Sequence, residues 1–276
     1  MKKNEKSFLN SLGPGLLFAG AAIGVSHLVQ STKAGAEFGF GLLWALLLVH
    51  LFKYPFFQFG PRYAAATGET LLDGYQKLGK GILMLYYILN FATMFTIQAA
   101  VTIVTASLAS ELFGFTNDLV LWSTILMFIS LLFLVRGKYK LLDHLMKYFI
   151  IILTVSTIIA VCVALSSTKD TFDVTQILPS GAAELTFLIA FLGWMPAPLD
   201  VSIWHSIWSI EKDKSKVVKT KRKDAIFDFN VGYFGTLCLS ICFVLLGALV
   251  MYKTGETFSN NGSVFASQLI KLYTKN

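Results

Sequence analysis

Residues 13 to 44, GPGLLFAGAAIGVSHLVQSTKAGAEFGFGLLW, are apolar enough to cross a bilayer, yet Gly20, Gly24, Ser26 and His27 interrupt them near the middle. Glycine weakens a helix by about 1 kcal/mol per residue relative to alanine. At membrane depth, irregular backbone is tolerated only where protein or a water-filled cavity surrounds it. A discontinuous first helix with an imidazole at mid-depth is a way of building a substrate site inside a membrane. A second interruption, Gly193-Trp194-Met195-Pro196-Ala197-Pro198, falls inside a later apolar stretch. Two broken helices are therefore expected.

Composition names the solvent. Of 276 residues, 55% are hydrophobic and 14% charged, with a mean hydropathy of +0.65, against about 25% charged in soluble domains. The net charge of +7 does not imply nucleic acid, because Lys212, Lys214, Lys216, Lys219, Lys221, Arg222 and Lys223 cluster in one loop between apolar stretches, as in a cytoplasmic loop. Cys162, Cys238 and Cys242 lie in apolar runs and give no disulfide framework. Cys238 and Cys242, one helical turn apart, are either two soft ligands on one face or small packing residues, and packing is favoured. The basic N-terminus precedes an apolar run too long for a signal peptide and without a clear cleavage site, so it reads as the inner end of the first span.

Seven spanning stretches are expected, each near or above the ~17 residues that crossing needs: 10–32, 39–63, 82–112, 119–135, 148–165, 182–210 and 227–252. Pro55 and Pro61 fall near the inner end of the second. Alternating the spans from an inner N-terminus puts Lys2, Lys3, Lys6, Arg62, Lys77, Lys80, Arg136, Lys138, Lys140, Lys147 and the 212–223 cluster on the inner side, while the outer loop 166–180 carries only Lys169. That asymmetry sets an orientation with the N-terminus in the cytoplasm. Residues 141–147 are expected to lie along the inner interface, and 264–273 to form an amphipathic outer helix.

Ionisable groups at bilayer depth are costly and point to function. His27 follows the glycine-rich break; its imidazole suits a first-row metal or a proton carrier, with a cross-helix hydrogen bond as the alternative. Asp200 follows the proline break, where a half-helix N-terminus favours a carboxylate, as ligand or as simple cap. His205 is a candidate proton relay, and Met195 is either a soft ligand or a packing residue. Lys53 shares a helix face with His50 and is expected to snorkel towards the inner side. No phosphate loop, zinc-protease signature or nucleophile with its base appears, so no enzyme is expected.

These residues resemble a known family. Gly13-Pro14-Gly15 opening a broken helix, then Ala34-Gly35-Ala36-Glu37-Phe38-Gly39-Phe40 and Leu42-Leu43-Trp44, is similar to the NRAMP divalent-metal transporters, as are Ala66-Thr67-Gly68 with Leu71, Met195-Pro196, and His205-Ser206. The resemblance implies a five-plus-five inverted-repeat fold, with 10–165 as the first repeat, 182–252 as the start of the second, and 212–224 as a basic cytoplasmic loop. The chain then looks C-terminally truncated. The family's first-helix motif is Asp-Pro-Gly-Asn, whose Asp and Asn hold the metal. Register places Gly24-Val25-Ser26-His27 there, so Gly24 replaces the aspartate and His27 the asparagine. In the sixth helix Met195-Pro196 match, but Ala197 stands where the family has His, and His205-Ser206 falls three residues late. On the His-Ser register, Pro198 takes the methionine position and Asp200 the histidine's.

The expected protein is therefore an all-α polytopic membrane protein that carries a divalent cation by alternating access, coupled to protons or another gradient, with an altered ion site. The ion is Mn/Fe-like or a hydrated Mg²⁺. His27, Met195 and Asp200 are the candidate metal ligands, Gly24 and Ser26 line the break, and backbone carbonyls around Gly20 and Leu192 complete the shell; His27 and His205 are the proton-relay candidates. No resident cofactor and no nucleic-acid partner are expected; the divalent ion enters as transported substrate, the bilayer is the other partner, and oligomeric state stays open. A bacterial inner membrane fits the unprocessed N-terminus. Two rivals stay open: an inverted-repeat carrier of a small organic solute, and a non-transporting or degenerate membrane protein.

Overall fold

The computed structural model describes residues 12–136, 139–167, 173–214, 219–252, 264 and 268, which form helices and no strands. Lys2, Lys3, Lys6, Lys138, Lys169 and Lys216 of the charge map, the Lys140 side chain and nearly all of the 264–273 tail lie outside the described residues. The first span opens as α1 (Pro14–Ala22), with proline in its first turn, where its missing N–H costs nothing. The chain then widens into a π-type run, Ile23–Ser31, and closes as α2 (Thr32–Phe38). Gly24, at φ −58° and ψ −122°, leaves the helical region, and the two sides of the break meet at 45°.

Next come α3 (Leu43–Thr67), α4 (Leu71–Leu78), α5 (Lys80–Phe113), α6 (Leu119–Arg136) and α7 (Tyr139–Ser167). Pro55 and Pro61 sit inside α3 without ending it; Gly68, in the left-handed conformation, does. Thr70 and Asp73 form a reciprocal capping box that starts α4. Residues 141–147, expected at the interface, are instead among the first turns of a continuous α7, tied by the Asp143–Lys147 pair at 2.7 Å. The second interrupted span is α8 (Ala182–Trp194) and α9 (Asp200–Lys214), separated by Met195 to Leu199, with a cis peptide at Met195–Pro196. The final helix is α10 (Arg222–Val250).

Four of these helices, α5, α6, α7 and α10, are long and apolar enough to cross a membrane alone, and the bent α1–α2 pair makes a fifth. The expectation of seven spans exceeds this number for physical reasons. The 25-residue α3 carries His50, Lys53, Gln58 and Arg62, and the 13 residues of α8 reach only about 20 Å. Large apolar side chains such as Phe91 and Phe95 on α5 and Leu131 and Leu134 on α6 are exposed, as lipid-facing residues are.

The core is laid around α10, which packs against α1, α2, α3, α7 and the π-type run. Its contact with the first helix is made by glycines. A Cβ on Gly15 would overlap the Asp228 carbonyl, and one on Gly232 would overlap that of Gly15. The same pattern recurs beyond the break, where Gly35 meets the Val244 carbonyl and Gly247 that of Thr32. Small residues let helix backbones approach this closely inside membranes. Phe18, Ala22, Phe57, Ala197, Val201, Phe229 and Tyr233 fill one side of this core, and Ala34, Leu46, Val49, Leu188, Phe191 and Met195 another.

Candidate functional site: two helix breaks in contact

The two interruptions meet. Ser26 Oγ, just after the Gly24 kink, donates to the Ala22 carbonyl and lies 3.4 Å from the Pro196 carbonyl. Five residues on, Ser31 Oγ approaches Met195 Sδ at 3.8 Å. The wide helical turns of the first break leave carbonyls without their regular partners. His27 serves one of these, its Nδ1 lying 2.6 Å from the Ala22 oxygen. A carbonyl only accepts, so Nδ1 carries the proton and Nε2 presents its lone pair.

His50 repeats the arrangement on α3, with Nδ1 2.8 Å from the Leu46 carbonyl. The two imidazoles stand edge to face, ring centres 6.0 Å apart. Both rings are buried, and neither Nε2 has a hydrogen-bond partner among the described residues. Two neutral imidazoles with unused nitrogen lone pairs can take a proton or ligate a borderline-soft cation.

The second break is held from across the bundle. Lys53, one helical turn beyond His50, donates from Nζ to the carbonyls of Leu192 at 2.8 Å, Gly193 at 3.0 Å and Met195 at 2.7 Å. These oxygens end a half-helix whose ladder stops at the break, so they carry its unpaired acceptors and the negative end of its dipole. The expectation of snorkelling is thus corrected. Three orphan carbonyls lie within reach at depth, and the ammonium satisfies them.

The candidate residues do not all meet. Ser26 and His27 stand side by side just after Gly24, and Ser31, further along the same run, meets Met195 of the second break. Leu192 contributes its carbonyl, but to Lys53. Gly20 lies within regular α1, facing Met146 of α7, and it is the Ala22 carbonyl that is engaged. Asp200 begins α9 within electrostatic reach of Tyr86 on α5, and it makes no hydrogen bond or ion pair with His27 or Met195 among the described residues. His205 is buried among Phe18, Trp208 and Phe229, neither ring nitrogen having a hydrogen-bond partner among the described residues, in surroundings separate from those of His27. Sequence reasoning missed His50 as a neighbour of His27 and Lys53 as a partner of the second break. The signal was present in their shared helix face and in the cost of a lysine at depth.

Helix ends at the face bearing Pro14 gather around Asp228, where Pro14, Ala64, Ser209, Lys212, Ala225 and Asp228 line one small cleft. The first turn of α3 is tied to the segment before α8 by Trp44 Nε1, which donates to the Ile177 carbonyl at 2.9 Å.

Apolar helices with exposed faces, arranged around two discontinuous helices in contact, define an integral membrane protein with an irregular polar site in its interior. The natural resistance-associated macrophage protein-like (Nramp) family model matches residues 15–275, and the chain belongs to that family. It is 41% identical over 277 aligned residues to an uncharacterised protein of Pasteurella multocida (strain Pm70), an alignment covering 99% of this chain and 63% of the relative. It is 27% identical over 141 residues to the divalent metal cation transporter MntH of Staphylococcus aureus (strain MRSA252), covering 51% of this chain and 31% of the transporter. The Mu3 strain's MntH matches at 26% over 148 residues, covering 53% of this chain and 33% of that protein. The alignments thus cover 31% to 63% of the length of these relatives.

Proposed function

We propose that the protein carries a divalent metal cation across its membrane by alternating access, coupled to protons or another ion gradient, through an altered site at the two breaks. The observation that carries this reading is the contact between them: Ser26 Oγ 3.4 Å from the Pro196 carbonyl and Ser31 Oγ 3.8 Å from Met195 Sδ. Family membership and the divalent-metal transport for which the MntH relatives are named support a divalent cation as cargo. His27 and Met195 are the proposed ligands, with Ser26 beside them. Asp200 and His205 serve the route to the site rather than its centre. The membrane is proposed to be a bacterial inner membrane, with the α4 face in the cytoplasm.

The test is uptake of Mn²⁺ and of Mg²⁺ by the full-length protein in liposomes, beside His27→Ala and Met195→Ala. Uptake that collapses in both variants, and quickens under an inwardly directed proton gradient with the acid side outside, is expected. A folded protein that moves neither ion overturns the reading. A small organic solute is the second possibility, favoured because no group of three or more His, Cys, Asp or Glu side chains gathers among the described residues; solute uptake indifferent to metals decides for it.

A further inference from the structure

The three carbonyls held by Lys53 are the acceptors a dehydrated cation would use at the second break. Their oxygens converge on Nζ at 2.7, 2.8 and 3.0 Å, and an ammonium has three N–H donors, one for each. Its charge answers the negative end of the α8 dipole, as a bound ion would. Lys53 is only partly buried, but it is anchored on α3, whose neighbouring turn carries the buried His50. The ammonium therefore belongs to the protein's own wall and does not leave with a cargo.

We propose that Lys53 is a tethered cation filling the carbonyl half of the ion site, and that it sets specificity by denying those oxygens to an incoming metal. This rests on reading the two breaks as a cation site. While Lys53 is seated, a second positive charge next to Leu192, Gly193 and Met195 meets direct repulsion, weakly screened away from water. An incoming ion is left with the groups at the breaks that Lys53 does not hold: His27 Nε2, which has no hydrogen-bond partner among the described residues, and Met195 Sδ, 3.8 Å from Ser31 Oγ. The absence of a carboxylate at Gly24 and the presence of an ammonium at Lys53 act in the same direction: each lowers the site's affinity for a stripped divalent ion.

The experiment compares the full-length parent with Lys53→Met and Lys53→Arg in lipid nanodiscs, titrated with Mn²⁺ alone and read by its paramagnetic resonance signal. Lys53→Met is expected to bind Mn²⁺ at least about tenfold more tightly, because the repelling charge is gone and three acceptors are free. Lys53→Arg, which keeps the charge, is expected to stay with the parent. Equal affinity in the parent and a folded Lys53→Met overturns the proposal. Should Lys53→Met fold poorly, the thermal midpoint of Lys53→Ala is followed with and without methylammonium, which restores the missing cation untethered. A rise in that variant but not in the parent is expected, and no rise overturns the proposal. Failure of parent uptake with tighter Mn²⁺ binding in Lys53→Met removes the transport reading alone; normal parent uptake with unchanged binding removes this one alone.

Discussion

Asp228 on α10 accepts hydrogen bonds from the backbone N–H of Gly13 at 2.9 Å and of Gly15 at 3.1 Å, capping the start of the first helix from more than 200 residues away. Lys212 at the end of α9 stands 3.7 Å from the same carboxylate, and both side chains are nearly buried. One carboxylate therefore ties together α1, α9 and α10 at the face shared by their ends. Asp228→Ala is expected to destabilise the protein by about 3 kcal/mol, since it removes the charged acceptor of two backbone N–H groups and an ion-pair partner of Lys212. Asp228→Asn should lose less. Unfolding in mixed micelles measures both; a loss below about 1 kcal/mol for Asp228→Ala contradicts the assignment.

The glycine contacts of α10 give a sharper comparison on a single helix. Gly232 abuts the Gly15 carbonyl, whereas nothing lies within 4 Å of a Cβ at Gly235. Gly232→Ala should cost about 1–3 kcal/mol through backbone displacement. Gly235→Ala should be neutral or slightly stabilising, because alanine is the better helix former. Matching thermal midpoints for the two variants would refute the backbone approach.

Tyr233 donates its hydroxyl to the carbonyl of His50 at 2.6 Å, joining α10 to α3 next to the imidazole pair. Tyr233→Phe leaves that buried carbonyl short of a partner and is expected to cost about 1 kcal/mol. Mn²⁺ affinity should change little, since the aromatic packing is kept. A titration showing lost binding with unchanged stability would give Tyr233 a different role.

At the α4 capping box, the Thr70 hydroxyl and backbone N–H that donate to Asp73 at 2.6 and 2.8 Å hold its carboxyl below the usual carboxylate range. A lowered folded-state pKa contributes stability that is fully present above the unfolded value, ~3.9, and is lost as pH falls through the folded one. The thermal-midpoint advantage of the parent over Asp73→Asn should thus be constant at neutral pH and shrink below about pH 4. An advantage that grows on acidification would contradict the cap.

Local chemistry carried much of this fold into the sequence. Gly24 foretold a broken first helix, and Met195 to Pro198 foretold the second break, because both act within a turn or two of where they stand; Gly20, also read as an interruption, sits in regular α1. The interface segment at 141–147 was misjudged because its charges satisfy each other along the helix: Asp143 pairs with Lys147, so the segment continues α7 rather than lying flat. The site was less legible. Lys53 finds its acceptors some 140 residues away, and Asp228 caps an end more than 200 residues off; neither partner has a local signal. Asp200 was assigned by its place after the prolines, but it comes within electrostatic reach of Tyr86 on α5, more than 100 residues earlier in the chain, which no local signal announces.

The paired glycines along α10 bear on movement as well as packing. Side chains that interlock across an interface can change rotamer and let two helices slide; carbonyl oxygens resting against bare α-carbons have no such freedom. Both halves of the broken helix touch α10 in this way, through Gly15 and Gly232 on one side of the kink and Gly35 and Gly247 on the other. The three segments form a chassis: any movement within the molecule carries them as one body, with play taken up at side-chain contacts elsewhere.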